Sequence, residues 1–487
     1  MSDNGQTPDP VTRQIDKMRA LRERERRLAL LNGFAERRTR GRREPDGLPR
    51  VPVRVVDPLP GGAVDRDPVP VVPQEILVRP QLRERARQVL RGRGFLAPDS
   101  GADPAARRPR RGQNNRGDSA ELLRVGGSVD ILEALRVLRA EGIGASAHHV
   151  AALGGRAKGG NTPMNTTVDL GPRPAGDVVP TPLVVVIDTG IDRAAIDDTV
   201  RNRRTDDWLA GIGADTELNS GIDLLDTSDY DGNDGADGYL DLGAGHGTFV
   251  AGIIRQKAPT AHIVMIRALD TDGYGSEQMI EDAIDRANDL FVATGGPGLL
   301  NLSLGLETVD GLEPVGIRRA IDDLPDTVRV VAAAGNGATG IPVWPAALQL
   351  SSDPAGSQAI ADRIVLGVAS LERDQTDQLV GSDWSNSGAW VDFSAPGEDV
   401  SSTFVVGEET AGTDAPEDPF DPDPATFSPP NPYAAWSGTS FATAKVTGVL
   451  ARYLIDNRDQ AVTVADAVEH LAGDGTVLAE FGVALDI

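Results

Sequence analysis

A chain of 487 residues, of which 40% are hydrophobic, exceeds the usual size of one compact core and predicts two folded units joined by linkers. Cysteine is absent, which excludes a thiol nucleophile, a cysteine-ligated metal site and any disulfide framework. The formal net charge is −25, but residues 1–120 carry 26 Arg and Lys against 16 Asp and Glu, whereas the remainder carries 22 against 57. So acidic a remainder repels nucleic acid and anionic membranes, which argues against both as its partners.

The first 180 residues are predicted to form a basic arm, a small folded unit and two linkers. Residues 1–43 carry a partial apolar stripe and are interpreted as a solvated helical arm rather than a nucleic-acid-binding segment. Residues 44–73 and 156–180 are rich in proline or glycine and predict extended linkers. The first thirty residues lack the apolar core of a secretion signal, and no stretch reaches the roughly 20 apolar residues of a membrane span. A cytoplasmic protein is therefore expected.

Residues 74–155, between the two linkers, predict a small α/β unit. The pattern is strand, helix, strand, helix, with Ser128 as the expected cap of the second helix. The adjacent His148 and His149 follow. Because neighbouring residues rarely share a face, surface or turn positions are predicted for them rather than a metal site.

A second domain, residues 181–487, is predicted to be a doubly wound, mostly parallel α/β domain. Apolar strands alternate with glycine-rich turns and helical stretches, and such continuous Val, Ile and Leu runs are typical of a parallel sheet covered on both faces. The predicted strands span 183–187, 262–267, 299–304, 328–334 and 364–368. Active sites of such sheets lie at the carboxyl ends of the strands.

Four polar residues sit at strand or helix ends of this second domain. Asp188 ends a strand in VVVIDTGID, and His246 is flanked by glycines in GAGHGTFVAGII. Asn336 follows VVAAAGN, and Ser440 begins a helix in WSGTSFATAKVTGVLA. Taken singly, each has an ordinary alternative: helix cap or ion ligand for the aspartate, turn former for the asparagine, N-cap for the serine.

The order IDTGID, GHGTFVAG, AAAGN, SGTSFATA resembles that of the subtilisin-like serine peptidases, the subtilase family, over residues 181–487. The resemblance implies that Asp188 orients His246, that His246 is the general base, that Ser440 is the nucleophile and that Asn336 donates to the oxyanion. It implies a serine endopeptidase that acts on protein or peptide substrates through an acyl-enzyme and requires no cofactor.

The same resemblance implies that Ser303, Leu304 and Gly305, in NLSLG, line the strand where substrate backbone docks. One departure from the family pattern lies after the nucleophile, where Ala444 and Lys445 stand in place of the usual proline and histidine. Alanine remains compatible with a helix, so altered local rigidity is expected rather than lost chemistry. FSAPG at 393–397 also matches a family segment and is assigned no chemical role.

Many subtilases bind structural calcium, and the acidic loop at 224–241 offers a candidate site. Asp229, Asp231 and Asn233 imitate the opening of a calcium loop, but Asp234 and Leu240 replace the glycine and the bidentate glutamate that an EF-hand requires. A solvated acidic insertion and a calcium site remain the two interpretations.

The unit at 74–155 resembles, in size and position, the inhibitory prodomains that precede many subtilase domains. This implies that it inhibits the enzyme intramolecularly, with self-cleavage expected between residues 155 and 180; a retained adaptor domain is the alternative. Two other functions stay open: a catalytically silent peptidase fold that binds proteins, and an intracellular effector protease released by a partner. An α/β-hydrolase esterase is excluded by Ala442 and by the order Asp, His, Ser.

Overall fold

The computed structural model describes residues 51–58, 68–96, 119–153, 163–193, 206–215, 217, 239–241, 243–353, 358–408 and 425–487. The predicted basic arm (1–43) lies outside these residues, as do Asp229, Asp231 and Asn233 of the calcium hypothesis.

The N-terminal unit, the described part of residues 51–153, is an antiparallel sheet with two helices. Its central strand β2 pairs with β1 and β3 along one edge and with β4 along the other. Apolar residues of both helices and of the sheet form one core. In chain order the elements are β1 (Arg54–Val56), β2 (Val69–Val78), α1 (Arg83–Gly92), β3 (Glu121–Arg124), α2 (Ile131–Ala140) and β4 (Ala145–Leu153).

Three local features of this unit differ from the sequence prediction. Part of the stretch predicted as linker forms β1 and the start of β2, because its valines are buried: Val71 in the core with the two helices, and Val53 in a smaller cluster with Val150. The cap of α2 is Asp130, whose side chain accepts from Leu132 N at 3.0 Å, rather than Ser128. His148 and His149, predicted at a surface or turn, are buried within β4.

The main unit, the described part of residues 163–487, alternates strands and helices. Its strands are β5 (Met164–Asn165), β6 (Leu183–Asp188), β7 (Gly213–Ala214), β8 (His262–Arg267), β9 (Tyr274–Ser276), β10 (Gly298–Leu302), β11 (Leu304–Gly305), β12 (Val328–Ala333), β13 (Val365–Arg373), β14 (Leu379–Gly381), β15 (Phe393–Pro396), β16 (Val400–Thr403), β17 (Gly407–Glu408), β18 (Thr426–Phe427), β19 (Tyr433–Trp436), β20 (Thr476–Leu478) and β21 (Gly482–Ala484). Its helices are α3 (His246–Lys257), α4 (Glu277–Thr294), α5 (Val315–Asp322), α6 (Gln349–Ser352), α7 (Thr439–Asp456) and α8 (Val464–Asp474).

The main sheet confirms the predicted doubly wound, mostly parallel architecture. Its strand order is β20-β21-β15-β13-β12-β10-β6-β8-β7, with β14 beside β13. Every pairing from β21 to β7 is parallel, and only β20 and β14 run antiparallel to their neighbours. The central strand β6 explains the apolar run: Val184 and Val186 face one core with α3 and α7, while Val185 and Ile187 face the other with α4 and α5.

The two units share a sheet. The last residues of β4 pair antiparallel with β9 on one edge and with β11 on the other, so a strand of the N-terminal unit lies between two strands of the main unit. Residues 164–171, predicted as linker, are instead part of the main unit: β5 pairs with β19, and Trp208 Nε1 donates to Gly171 O at 2.8 Å.

No helix in the described part of the chain is long and apolar enough to cross a membrane. The cytoplasmic location stays a prediction.

Candidate active site

Asp188 is the last residue of the central strand β6, where its carboxylate is fully buried. Its Oδ1 accepts from Thr189 N at 2.7 Å. The His246 ring lies against the same carboxylate, with Nδ1 at 2.8 Å from Oδ1 and 3.0 Å from Oδ2. Because an ionised carboxylate only accepts hydrogen bonds, this contact places the imidazole proton on Nδ1 and leaves Nε2 as the acceptor.

His246 opens helix α3 and is only 3% exposed. The preceding Gly245 has φ of +80°, and a Cβ there would lie 2.6 Å from a ring carbon of Phe404, so both backbone and space demand glycine. The His246 ring packs edge-on against Trp436 at 5.3 Å between centroids and is tilted against Phe441 at 5.5 Å. Aromatic contacts on two sides and the Asp188 carboxylate hold the ring in one orientation.

Ser440 lies in the first turn of α7 and is 2% exposed. Its hydroxyl donates to Ser303 O at 3.1 Å, and Ser303 Oγ donates back to Ser440 O at 3.0 Å. Within the described residues, Ser440 Oγ has no hydrogen bond to the His246 ring. The structure therefore joins His246 to Asp188 but leaves the hydroxyl turned towards the neighbouring strand.

Asn336 follows β12, and its side chain is fixed at one end only. Its Oδ1 accepts from Thr439 N at 3.0 Å and from Thr439 Oγ1 at 2.8 Å. No described residue accepts a hydrogen bond from Nδ2, which lies 3.6 Å from the position that a Cβ on Gly438 would take. A donor is thus available beside the start of α7.

Asn386 supports this arrangement and was missed by the sequence analysis. Its Oδ1 accepts from Gly337 N at 2.9 Å and from Thr339 N at 3.1 Å, while its Nδ2 donates to Ala334 O at 2.9 Å. A single buried amide therefore holds both ends of the loop that carries Asn336. No local signal marks it, because Asn386 lies about fifty residues further along the chain.

The strand expected to dock substrate is β11 with the preceding Ser303. In this structure Leu304 and Gly305 are paired with Leu153 and Ala152 of the N-terminal unit. Ser303 Oγ also accepts from Asn301 Nδ2 at 2.9 Å. These bonds fix the backbone of the strand next to Ser440.

His246, Asn336 and Ser440 all line one cavity of about 140 Å³. It lies between the end of β4 and the start of α7. Its lining includes Val150, Ala152, Leu153, His246, Asp272, Gly273, Tyr274, Gly305, Leu306, Glu307, Asn336, Trp436, Ser437, Gly438, Ser440 and Phe441.

Ala444 and Lys445, which depart from the family pattern, and FSAPG at 393–397, which has no assigned chemical role, lie within regular elements of the main unit. Ala444 is buried in α7, which continues unbroken to Asp456. Burial, together with the nearby charge of Lys257, lowers the pKa of Lys445 to about 8 against the opposing effect of Asp486. FSAPG forms β15 of the main sheet, and Gly397 at its end accepts a hydrogen bond from Gly438 N at 2.9 Å.

Within the described residues, no group of three or more His, Cys, Asp or Glu side chains is placed to hold a metal ion.

Comparison with known proteins gives consistent results. A model of the subtilase family matches residues 181–483. The thermophilic serine proteinase of Bacillus sp. strain AK1 is 30% identical over 308 residues, which are 60% of this chain and 58% of that protein. Thermitase of Thermoactinomyces vulgaris is 32% identical over 253 residues, 49% of this chain and 72% of that protein.

Among solved structures, a cold adapted subtilisin-like serine proteinase aligns at 22% identity with a TM-score of 0.40, covering 64% of this chain and 91% of that one. The chain spans less than two thirds of the Bacillus AK1 relative.

Proposed function

The chain belongs to the subtilase family, and we propose from this premise that it is a serine endopeptidase acting through Asp188, His246 and Ser440. The observation that carries the proposal is that His246, hydrogen-bonded to the buried Asp188, lines one cavity together with Ser440 and Asn336. Its substrates are proteins or peptides, and the chemistry requires no cofactor.

The reaction begins with a rotation of the Ser440 side chain away from Ser303 O and towards Nε2 of His246. The imidazole takes the hydroxyl proton as Oγ attacks the substrate carbonyl, and Asp188 stabilises the resulting imidazolium. The imidazolium then returns the proton to the leaving amine. Water repeats the sequence on the acyl-enzyme and releases the second product.

The oxyanion formed by this attack receives hydrogen bonds from two directions. Asn336 Nδ2 is one donor, since Thr439 occupies only the Oδ1 end of that amide. The second is the backbone N–H of Ser440 in the first turn of α7, where N–H groups have no intrahelical acceptor.

The N-terminal unit is proposed to inhibit this site intramolecularly. Its strand β4 fills the space between β9 and β11, where an extended substrate would add a strand. The contact is reinforced at the first turn of α4, where the fully buried Glu277 accepts from Ser146 Oγ at 3.3 Å and from His149 Nδ1 at 3.3 Å.

Both histidines of β4 support this docking in the same way. His149 Nε2 accepts from Val309 N at 3.3 Å, and His148 Nε2 accepts from Gln278 N at 3.4 Å. Each ring thus uses one nitrogen for a backbone N–H of the main unit and the other for a carboxylate. Together with the position of β4 between β9 and β11, these contacts support an inhibitory unit over a retained adaptor domain.

A fluorophosphonate probe tests the peptidase proposal against a catalytically silent binding protein. We expect covalent labelling of the wild-type chain, weak while β4 is docked, and none in Ser440→Ala. Equal labelling of both, or none in wild type after the N-terminal unit has been released, contradicts the proposal. If the chain is instead an intracellular effector protease released by a partner, labelling should rise only when that partner is added.

A further inference from the structure

The strand that fills the cleft indicates which side chains the cleft prefers. Side chains of a β-strand alternate between its two faces, so Ala151 and Leu153 share one face of β4 while Val150 and Ala152 share the other. Ala151 belongs to the buried core of the main unit, and Leu153 packs against the same core. Val150 packs instead in a small cluster with Val51 and Val53 of its own unit and Met279 of α4.

Leu153 occupies a subsite whose size is set by Gly273. A Cβ on Gly273 would lie 2.5 Å from Leu153 Cδ1 and 2.7 Å from Cγ, so the leucine rests directly on the glycine backbone. Leu153 N also donates to Gly273 O at 3.2 Å. Any side chain at position 273 would remove the space that the leucine uses.

Ala151 occupies a second subsite that is already full. It is 0% exposed and lies opposite Gly275 in the ladder with β9. Gly275 itself has no spare room, since a Cβ there would lie 2.5 Å from Ala268 O and 2.8 Å from Leu269 Cδ2. A larger residue in place of Ala151 would overpack the cluster around Leu269.

The register fixes where this pair of subsites lies relative to Ser440. Leu153 is opposite Leu304, the residue after Ser303, and Ser303 O is the group that accepts from Ser440 Oγ. In a substrate docked in this register, the residue after the leucine lies opposite Ser303 and therefore beside the nucleophile.

We propose, on the premise of the peptidase function above, that the enzyme selects extended peptides of the form Ala-x-Leu-x and cuts after the final residue. The subsite over Gly273 takes leucine, and the subsite beside Gly275 takes a residue no larger than alanine. Gly273 is the specificity-determining residue for the leucine position. The chain's own β4 is the occupant that displays this preference.

The test has one arm for each form in which the chain is purified. If the N-terminal unit has been released, a peptide library profiled by mass spectrometry should show leucine favoured over alanine at the position before the last, by at least about tenfold. Alanine should exceed leucine by a similar factor two positions earlier. If the chain is intact, Ala151→Leu and Leu153→Ala should each speed fluorophosphonate labelling of Ser440 by about tenfold or more, since β4 is then held less tightly.

Matched variants separate the subsites from general effects. Glu133→Gln, at an exposed position on α2 of the N-terminal unit, should leave the labelling rate unchanged. Gly273→Ala should shift the leucine preference towards smaller residues, whereas Gly295→Ala, which places the same substitution at a positive φ with no atom within 4 Å, should not.

A flat or aromatic profile at the leucine position, or unchanged labelling of both β4 variants, overturns the preference while leaving the peptidase proposal intact. Absence of Ser440 labelling in every preparation, including Ala151→Leu, overturns the peptidase proposal itself.

Discussion

Ser440 and Ser303 are joined by two reciprocal hydrogen bonds, each hydroxyl donating to the other residue's carbonyl at 3.1 and 3.0 Å. Ser303 Oγ also accepts from the buried Asn301 amide at 2.9 Å, and Asn301 Oδ1 accepts from Thr447 Oγ1 on α7. The candidate nucleophile is thus tied to β10 and β11 through a continuous buried polar chain. This link positions the start of α7 against the strand that docks substrate.

Ser303→Ala should lower the free energy of unfolding by about 1–3 kcal/mol, because it leaves the buried Asn301 Nδ2 without its acceptor and removes the side-chain hydrogen bond to the Ser440 carbonyl. The kcat should change by less than about tenfold, since Ser303 O still accepts from Ser440 Oγ. Urea denaturation and initial rates measure the two effects. The control is Ser394→Ala, at a buried serine whose Oγ has no partner among the described residues; an equal loss of stability in both would contradict the assignment.

Asp188→Asn should preserve the fold but reduce kcat by about 10⁴-fold. An amide offers an N–H where the carboxylate accepted one, so the His246 ring is driven to the tautomer that cannot take the Ser440 proton. Rates on a peptide substrate, compared with the thermal midpoint of the same preparation, check this. A loss under about tenfold, with the midpoint unchanged, would show that His246 does not depend on Asp188 for its role.

The raised pKa of Glu281, which contacts both units, predicts that the stability of the folded chain depends on pH. Burial raises its pKa to about 7, against the opposing effects of the hydrogen bond from Ala120 N at 2.8 Å and of the neighbouring Arg319. The docked state therefore binds a proton more readily than the unfolded chain. The stabilisation that protonated Glu281 contributes is fully present below pH 4.5 and is lost as pH rises through about 7. The free energy of unfolding changes by an amount on the order of 3 kcal/mol.

Urea midpoints measured from pH 5 to 8 test this linkage. Glu281→Gln imitates the protonated side chain, so its midpoint should fall less with rising pH than that of wild type and should exceed it at pH 8. Glu84→Gln, at an exposed glutamate on α1, is the control and should follow wild type. Parallel curves for wild type and Glu281→Gln would rule out Glu281 as the titrating group.

The fold of the main unit could be predicted because its signals are local. The runs at 183–187 and 262–267 coincide with β6 and β8, since a strand buried on both faces requires unbroken aliphatic residues. The family assignment is likewise confirmed. The catalytic roles of Asp188, His246, Asn336 and Ser440 stay predictions, although the last three line one cavity and Asp188 is hydrogen-bonded to His246.

What the sequence could not provide were contacts between distant segments. Asn386 carries the loop of Asn336 from far along the chain, and its identity alone is typical of a turn. His148 and His149 are predicted at a surface or turn rather than in a metal site, because neighbouring residues rarely share a face. Both faces of β4 are buried and both contact the main unit, through His148 and His149, and no pattern within residues 74–155 records that docking.

Self-cleavage, if Ser440 acts on its own chain, should produce a new N-terminus between residues 155 and 162, which narrows the range of 155–180 expected from sequence. β4 runs towards Ser440 and is paired up to Leu153, so the bond presented to the nucleophile follows that residue closely. From Met164 onwards the chain is fixed again, by the pairing of β5 with β19 and by the hydrogen bond from Trp208 to Gly171. The peptide bonds of residues 164–171 are therefore not presented to Ser440. Intact-mass measurement and N-terminal sequencing should therefore find two fragments in wild type and one full-length chain in Ser440→Ala. A new terminus within residues 164–180, or an active preparation that stays full length, would show that β4 is not the segment the enzyme cuts.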